Sequence, residues 1–208
     1  MPLPAREAEL VQIREAKLLQ SIDALLADAA RRAGDLLACR IGCTQCCYGA
    51  FAINALDSAH LRSGMAGLRD EDPSLAAAIE FRARAWLAEY GSGFPGDSET
   101  GALGTSEADQ AQFEDFANDA ACPALDPSTG RCDVYAWRPM TCRVFGPPVR
   151  ATVEDGAEGL GHCELCFIGA TPKQVAACEM PVPHALEAEL LDEMSSTAET
   201  VVAFALLP

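Results

Sequence analysis

Residues 39–51 read CRIGCTQCCYGAF and contain four of the ten cysteines in this 208-residue chain. No cysteine precedes this stretch, and the other six are spread over residues 122–178. A chain of this length and apolar content can build an ample hydrophobic core, so it does not need disulfides to fold. What these thiols bind or form therefore decides how the middle of the chain is held together.

Three uses of the cysteines compete. Disulfides suit an even count, but adjacent Cys46 and Cys47 cannot bridge each other without severe strain. A single nucleophile needs a base beside it, and three histidines, of which His162 adjoins a cysteine, do not account for ten thiols. Metal binding explains the density of thiols, their short spacings and the irregular middle together. The sequence therefore favours a metal–thiolate site.

The cysteine spacing fits zinc. Cys43-x2-Cys46 and Cys163-x2-Cys166 have the two-residue spacing with which two thiolates hold one ion from a turn. Soft thiolates suit both zinc and iron–sulfur clusters, so the ligand type does not decide the metal. Ten thiols suffice for two four-thiolate centres or one larger cluster. The predicted metal ligands are Cys39, Cys43, Cys46, Cys47, Cys122, Cys132, Cys142, Cys163, Cys166 and Cys178.

Other features favour an iron–sulfur cluster slightly over zinc. The first three cysteines have the C-x3-C-x2-C spacing with which radical-SAM enzymes hold three corners of a [4Fe–4S] cluster. Gln45 stands where those enzymes have an aromatic residue, and the chain is short for their barrel. Prolines occur near Cys122 and Cys142, as they do near iron–sulfur ligands. The predicted cofactor is therefore an iron–sulfur cluster, with zinc as the alternative.

Two cysteine runs resemble the YkgJ-like cysteine-cluster family. They are the C-x3-C-x2-CC run that ends at Cys47 and CPALDPSTGRCDVYAWRPMTCRVFG at residues 122–146. This chain has three residues after Cys39, where the family's C-x2-C-x2-CC pattern has two. The family comprises zinc- or iron-chelating domains and includes the flagellin N-methylase group. The resemblance spans about residues 39–170 and implies metal chelation, but it supplies no reaction.

Arg138 and Arg143 flank Cys142. A four-thiolate site around zinc carries net negative charge, which nearby guanidinium groups would stabilise. These arginines are therefore candidates for charge compensation around the metal ligands. The ordinary alternative is an ion pair with Asp126 or Asp133.

The formal charge of −16 argues against nucleic-acid binding, which relies on lysine and arginine. No run of 18 apolar residues predicts a membrane span. The start, MPLPAREAEL, lacks secretory-signal features, so we expect a bacterial-type cytoplasmic protein whose thiols stay reduced. The expected partners are metal ions, and a protein partner or substrate is an open possibility.

Helical patterns at both ends predict a mainly α, single-domain fold over residues 1–208. An amphipathic helix over 1–38 precedes an irregular cysteine-cluster core over 39–170, and a second long helix covers 183–206. Asn54, Asp72, Ser106 and Thr171 are predicted to cap shorter helices, three of which end near Leu68, Tyr90 and Asn118. CDVYAW and CRVF, which begin at Cys132 and Cys142, are predicted as short strands or extended turns.

Three functional hypotheses follow, and whether the chain is an enzyme stays open. The first is a metal-chelating protein with a redox, sensing or metal-handling role. The second, implied by the family resemblance, is a protein-modifying enzyme of the flagellin lysine N-methylase type. The third is a structural zinc module that presents its acidic surface to a protein partner.

Overall fold

The computed structural model describes residues 5–40, 42–152 and 158–208. Helices dominate these residues, so the prediction of a mainly α fold is confirmed. The helices are α1 (Ala5–Ala33), α2 (Ala55–Glu71), α3 (Pro73–Tyr90), α4 (Glu107–Glu114), α5 (Met140–Val144), α6 (Pro172–Ala177), α7 (His184–Met194) and α8 (Val202–Ala205).

Short strands form antiparallel pairs between these helices. The strands are β1 (Ala52–Ile53), β2 (Gly96–Asp97), β3 (Ala102–Leu103), β4 (Leu125–Asp126), β5 (Arg131–Cys132), β6 (Val149–Thr152), β7 (Glu158–Gly161) and β8 (Thr200–Val201). Strand β1 pairs with β8, and the other pairs are β2 with β3, β4 with β5 and β6 with β7.

The chain divides into two compact units. Unit 1 comprises Met1–Arg40 and Met140–Ser195, and unit 2 comprises Ile41–Pro139 and Ser196–Pro208. Each unit therefore joins segments that are far apart in the sequence. The cysteines divide equally: Cys39, Cys142, Cys163, Cys166 and Cys178 lie in unit 1, and Cys43, Cys46, Cys47, Cys122 and Cys132 lie in unit 2.

Unit 1 is built on α1, which contacts α5 and α7. Its apolar stripe is buried as predicted, with Leu18, Ile22 and Ala29 almost inaccessible to solvent. Arg14 forms ion pairs with two glutamates of α7, which adds polar contacts between these helices. The α-helix ends before Gly34, whose φ of +53° favours glycine, and a 3₁₀ turn over Gly34–Leu36 follows.

Unit 2 is built on α2 and α3, whose predicted caps are confirmed. The Asn54 side chain accepts a hydrogen bond from the Asp57 N–H, and that of Asp72 accepts one from the Leu75 N–H. Ser106 begins α4 through a capping box, although the helix ends at Glu114, short of the predicted Asn118. The core beneath these helices includes Ile53, Leu61, Met65, Ile79, Val202 and Leu206.

The predicted single helix over 183–206 is wrong. Helix α7 ends at Met194, because Ser195 adopts a left-handed conformation with φ of +51°. Thr200 and Val201 are β-branched and pair with β1, so their backbone groups bond to another strand instead of continuing a helix. The apolar residues that suggested one helix thus belong to helix α7, strand β8 and helix α8.

The segment CDVYAW follows the prediction in part, whereas CRVF differs from it. Only Cys132 of the first belongs to a strand, and a 3₁₀ turn follows over Tyr135–Trp137. The second segment is mostly helical, since α5 starts directly after Pro139, where proline is well tolerated. None of the helices within the described ranges combines the length and apolar character needed to cross a membrane.

Candidate metal centre

A tight turn carries the adjacent thiols of unit 2. Residues Gln45–Cys47 form a 3₁₀ turn, in which the Cys47 N–H donates to the Thr44 carbonyl at 2.8 Å. The Cys122 N–H in turn donates to the Cys47 carbonyl at 2.7 Å. This bond joins the first cysteine run to the second, 75 residues further along the chain. The local backbone thus brings together cysteines that are remote in sequence.

A hairpin positions the fourth thiol of this group. Strand β5 places Cys132 opposite Leu125 of β4. The turn between the strands is held by the Asp126 carboxylate, which accepts hydrogen bonds from the hydroxyls of Ser128 and Thr129. The hydrogen bond from Thr129, followed by those from Ser128, lowers the pKa of Asp126 to about 2. The DPSTG sequence thus fixes the register that presents Cys132.

The adjacent thiols Cys46 and Cys47 interact directly. The Cys47 thiol hydrogen-bonds to Cys46 and, despite burial, lowers the pKa of Cys46 from 9.0 to about 6. The pKa of Cys47 is raised, first by the same hydrogen bond and then by burial. Cys46 is therefore a thiolate at neutral pH, and thiolates are the form that binds metal. The 3₁₀ turn thus brings the two sulfurs into contact.

The thiols of Cys122 and Cys132 interact electrostatically with this pair. Burial, with smaller contributions from the negative charges of Cys132 and Cys46, raises the pKa of Cys122 to about 12. Burial also raises the pKa of Cys132, again with a contribution from Cys46. The negative charges of Cys122 and Cys132 likewise raise the pKa of Cys47. Four thiols thus lie close enough to repel one another's charge, and a bound cation would relieve that repulsion.

Arg138 supplies positive charge to this group. Its guanidinium group lowers the pKa of both Cys46 and Cys132. The guanidinium carbon lies 4.1 Å from the centre of the Tyr135 ring, a cation–π contact that fixes its direction. Trp137 packs against the hydrophobic core next to Gly64, where a Cβ would come within 2.2 Å of the indole. Core packing thus holds the residue directly before Arg138.

Arg143 lies in a different environment from Arg138. It is buried in unit 1, where one of its nitrogens contacts both carboxylate oxygens of Asp23 at 2.8 Å. An ion pair is therefore present, but with a partner other than the proposed Asp126 or Asp133. Asp133 instead pairs with Arg82 at 2.5 Å, within unit 2. Asp23 was missed because it lies beside the apolar stripe of α1, far from any cysteine in sequence.

The cysteines of unit 1 occupy several environments. Cys163, Cys166 and Cys178 are buried in an apolar cluster with Ala33 and Phe167. Cys39 is exposed, and its sulfur lies 4.0 Å from that of Cys166. Cys142 is half-buried on α5, and Cys43 of unit 2 is half-buried in the loop before the 3₁₀ turn.

All ten cysteines belong to the described residues, and none of them forms a disulfide there. Within the same residues, no three His, Cys, Asp or Glu side chains are already arranged around a common ion position. The donor set of unit 2 nevertheless fits a thiophilic metal, since Cys46, Cys47, Cys122 and Cys132 are soft ligands that share one charged neighbourhood.

Comparison with known families agrees with this chemistry. Residues 38–158, more than half of the chain, match the CxxCxxCC family, which is described as "Putative zinc- or iron-chelating domain". The chain belongs to this family. The CxxCxxCC match contains both cysteine runs up to Cys142, and it ends before Cys163, Cys166 and Cys178. No curated protein and no solved structure is significantly similar to the chain.

Proposed function

We propose that this CxxCxxCC protein binds one metal centre in unit 2 through Cys46, Cys47, Cys122 and Cys132. The observation that carries the proposal is the 2.7 Å hydrogen bond from the Cys122 N–H to the Cys47 carbonyl, which joins the two cysteine runs. The mutual effect of the four thiols on one another's pKa supports it. Four soft donors this close would form a complete ligand set for zinc or iron. The family description supports the same pair of metals.

The surrounding residues suit a negatively charged metal–thiolate group. Arg138 compensates charge from one side, and its contact with Tyr135 keeps it there. Cys122 and Cys132 are partly buried against the core of unit 2, which limits access of water to their sulfurs. When bound, an iron–sulfur group would supply electron transfer, and zinc would supply a crosslink between the two cysteine runs.

We favour iron, as an iron–sulfur cluster, on the grounds of the proline that directly follows Cys122. A redox or sensing role in a reducing cytoplasm would then follow. Zinc is the second candidate, and a specific observation favours it. Cys46 and Cys47 are hydrogen-bonded, and thiolates this close together suit a single ion better than separate irons of a cluster. A structural or metal-handling role follows from zinc.

The enzyme alternative receives little support. A methyltransferase of the flagellin N-methylase type requires a pocket for its methyl donor near the site. The cavity beside Cys122 is lined mainly by apolar residues, among them Phe51, Trp86 and Val202. A cofactor pocket also contains polar groups that orient its ligand.

Anaerobic purification followed by metal and acid-labile sulfide analysis tests the proposal. Iron with sulfide and a brown colour would support the cluster and reject zinc. Colourless protein with bound zinc would reject the cluster and support the second candidate. The proposal itself is wrong if reduced protein binds neither metal, or if Cys122→Ser binds as much metal as the wild type.

A further inference from the structure

We propose that Arg82 of α3 is a positioning residue for the metal centre proposed for unit 2, on which this role depends. Arg82 belongs to neither cysteine run and precedes Pro123 by 41 residues, so the cysteine pattern does not point to it. Its guanidinium group bonds to the two residues that directly follow Cys122 and Cys132. Arg82 therefore fixes the backbone that carries two of the four proposed ligands.

One contact of Arg82 restrains the peptide after Cys122. The Arg82 Nε–H donates to the Pro123 carbonyl at 2.8 Å. The pyrrolidine ring already fixes φ of Pro123, which leaves ψ as its one soft backbone dihedral. A hydrogen bond to the carbonyl restricts rotation about ψ. Both backbone dihedrals of the residue after Cys122 are therefore restricted.

The second contact of Arg82 restrains the residue after Cys132. A terminal guanidinium nitrogen donates to the Asp133 carboxylate at 2.5 Å. The two side chains are 22% and 15% exposed, so solvent screens this pair only in part. Charge-assisted hydrogen bonds are about twice as strong as neutral ones. The rigid, planar guanidinium group thus holds Pro123 and Asp133 at a fixed separation.

The backbone between these two contacts is a small hairpin. The Leu125 N–H donates to the Cys122 carbonyl at 2.9 Å, and the Asp133 N–H donates to the Ala124 carbonyl at 2.9 Å. Each strand of the hairpin contains only two residues. A hairpin this short is marginally stable by itself. It therefore depends on contacts from elsewhere in unit 2 to hold the cysteines at its two ends.

Apolar burial anchors this hairpin without orienting it. Ala124 and Val134 are buried in the same core cluster as Ile79 and Ala83 of α3. The hydrophobic effect is non-directional, so it brings the hairpin to the core without selecting one orientation. The hydrogen bonds from Arg82 are directional, and they come from the same helix. Arg82 thus supplies the orientation that apolar packing leaves open.

This orientation bears on metal binding. Thiolates must converge to within about 2.3 Å of one ion to bind it as ligands. A binding site that is ordered before its ligand arrives has a smaller entropic cost of binding. Without Arg82, the sulfurs of Cys122 and Cys132 would sample more positions in the metal-free protein. We therefore expect Arg82 to increase metal affinity and to set the geometry of the bound ion.

Anaerobic titration of the reduced, chelator-treated full chain with Co²⁺ tests this role, since the visible bands of Co²⁺ report the geometry of its thiolate ligands. Arg82→Gln removes the charge and the planar donor group. We expect about tenfold weaker Co²⁺ binding to unit 2 at unchanged stoichiometry. The visible bands should also change at saturating Co²⁺. A contribution to folding alone would not change them, because every molecule is then folded and loaded.

Two further variants calibrate this result. Arg82→Lys keeps the charge but cannot bond to both acceptors in the same geometry, so its affinity should lie between those of Arg82→Gln and the wild type. Arg84→Gln is the matched control on the same helix. Its side chain is 57% exposed and pairs with Glu80 one turn away, so affinity and bands should stay as in the wild type.

The outcomes separate the role of Arg82 from the existence of the metal centre. If Cys122→Ser binds as much Co²⁺ as the wild type, the centre fails and the role of Arg82 fails with it. If Cys122→Ser loses metal while Arg82→Gln keeps wild-type affinity and bands, the role of Arg82 alone is wrong. It is also wrong if Arg82→Gln only lowers stability in urea and leaves the bands unchanged. Should circular dichroism show that Arg82→Gln does not fold, Arg82→Lys decides by the same measurements.

Discussion

The cysteines of the two units differ in how their charge is prepared. In unit 2 the Cys46 sulfur is a thiolate with a pKa of about 6, and Arg138 lies near it. In unit 1 three sulfurs are buried among apolar side chains, and only Cys39 is exposed. The Cys46 sulfur is thus prepared to bind metal at neutral pH, whereas three sulfurs of unit 1 are shielded from water.

This difference suggests two roles for one residue type. Accessible thiolates exchange metal and react with electrophiles readily, whereas buried thiols are inert until a strong ligand interaction draws out their protons. We therefore expect the Cys46 thiol to react with electrophiles faster than the buried thiols of unit 1. The variants below change one unit at a time, and they are ordered from the largest expected effect to the smallest.

Replacing Cys46 by Ser should have the largest effect. It removes the thiolate of the proposed centre, and the binding energy of structural zinc is on the order of 10 kcal/mol at neutral pH. We expect loss of the metal of unit 2 and a lower midpoint of its thermal unfolding, measured by metal analysis and calorimetry. Cys43→Ser, in the same loop, should retain more metal than Cys46→Ser. Equal losses would show that Cys43 is as important a ligand as Cys46.

Gly64→Ala should destabilise unit 2 by about 3 kcal/mol, because the new methyl group overlaps the Trp137 indole. Gly67 lies on the same helix with open space around its Cα. Gly67→Ala should therefore stabilise unit 2 by roughly 0.5–1 kcal/mol through its higher helix propensity. Urea unfolding measures the free energy of unfolding of both variants. A loss of stability in Gly67→Ala would contradict this account of α2.

Asp23→Ala should destabilise unit 1 by about 1–2 kcal/mol. The change leaves the buried Arg143 guanidinium without its carboxylate, and partial exposure of Asp23 limits the penalty. Asp192→Ala on α7 changes an exposed carboxylate and serves as the control, with little expected effect. Thermal unfolding of unit 1 measures the change in stability for both variants. If Asp23→Ala were as stable as the control, the ion pair would not contribute to the fold.

Cys47→Ala should shift a titration without changing the fold. In metal-free reduced protein, Cys46 should be alkylated with a midpoint near its pKa of about 6. Removing the Cys47 donor destabilises the thiolate, so this midpoint should rise towards 9.0. Arg138→Met should raise it less, since the charge of Arg138 contributes less to the low pKa than the Cys47 hydrogen bond does. An unchanged midpoint in Cys47→Ala would show that the hydrogen bond does not hold the thiolate.

Local signals explain what the sequence predicted well. Asn54, Asp72, Ser106 and Thr171 begin helices because each cap depends on residues within one turn. The apolar stripe of α1 likewise follows from helical periodicity alone. The family pattern identified metal chelation because its cysteines and prolines are close in sequence.

Long-range contacts explain what the sequence did not predict. The pairing of β8 with β1 interrupts the apolar pattern of residues 183–206, although the two strands are almost 150 residues apart. The partner of Arg143 is Asp23, on a helix 120 residues away. The spacing of ten thiols could not show that they divide equally between two units, because this division depends on where the chain crosses from one unit to the other.

X-ray absorption at the metal edge of the anaerobically purified protein tests the central claim most directly. The account predicts that sulfur is the only ligand type, at about 2.3 Å from zinc or iron. It also predicts that Cys46→Ser and Cys122→Ser each lower the number of sulfur ligands or the metal content. A ligand shell dominated by nitrogen or oxygen, or one that both substitutions leave unchanged, would contradict a metal–thiolate centre in unit 2.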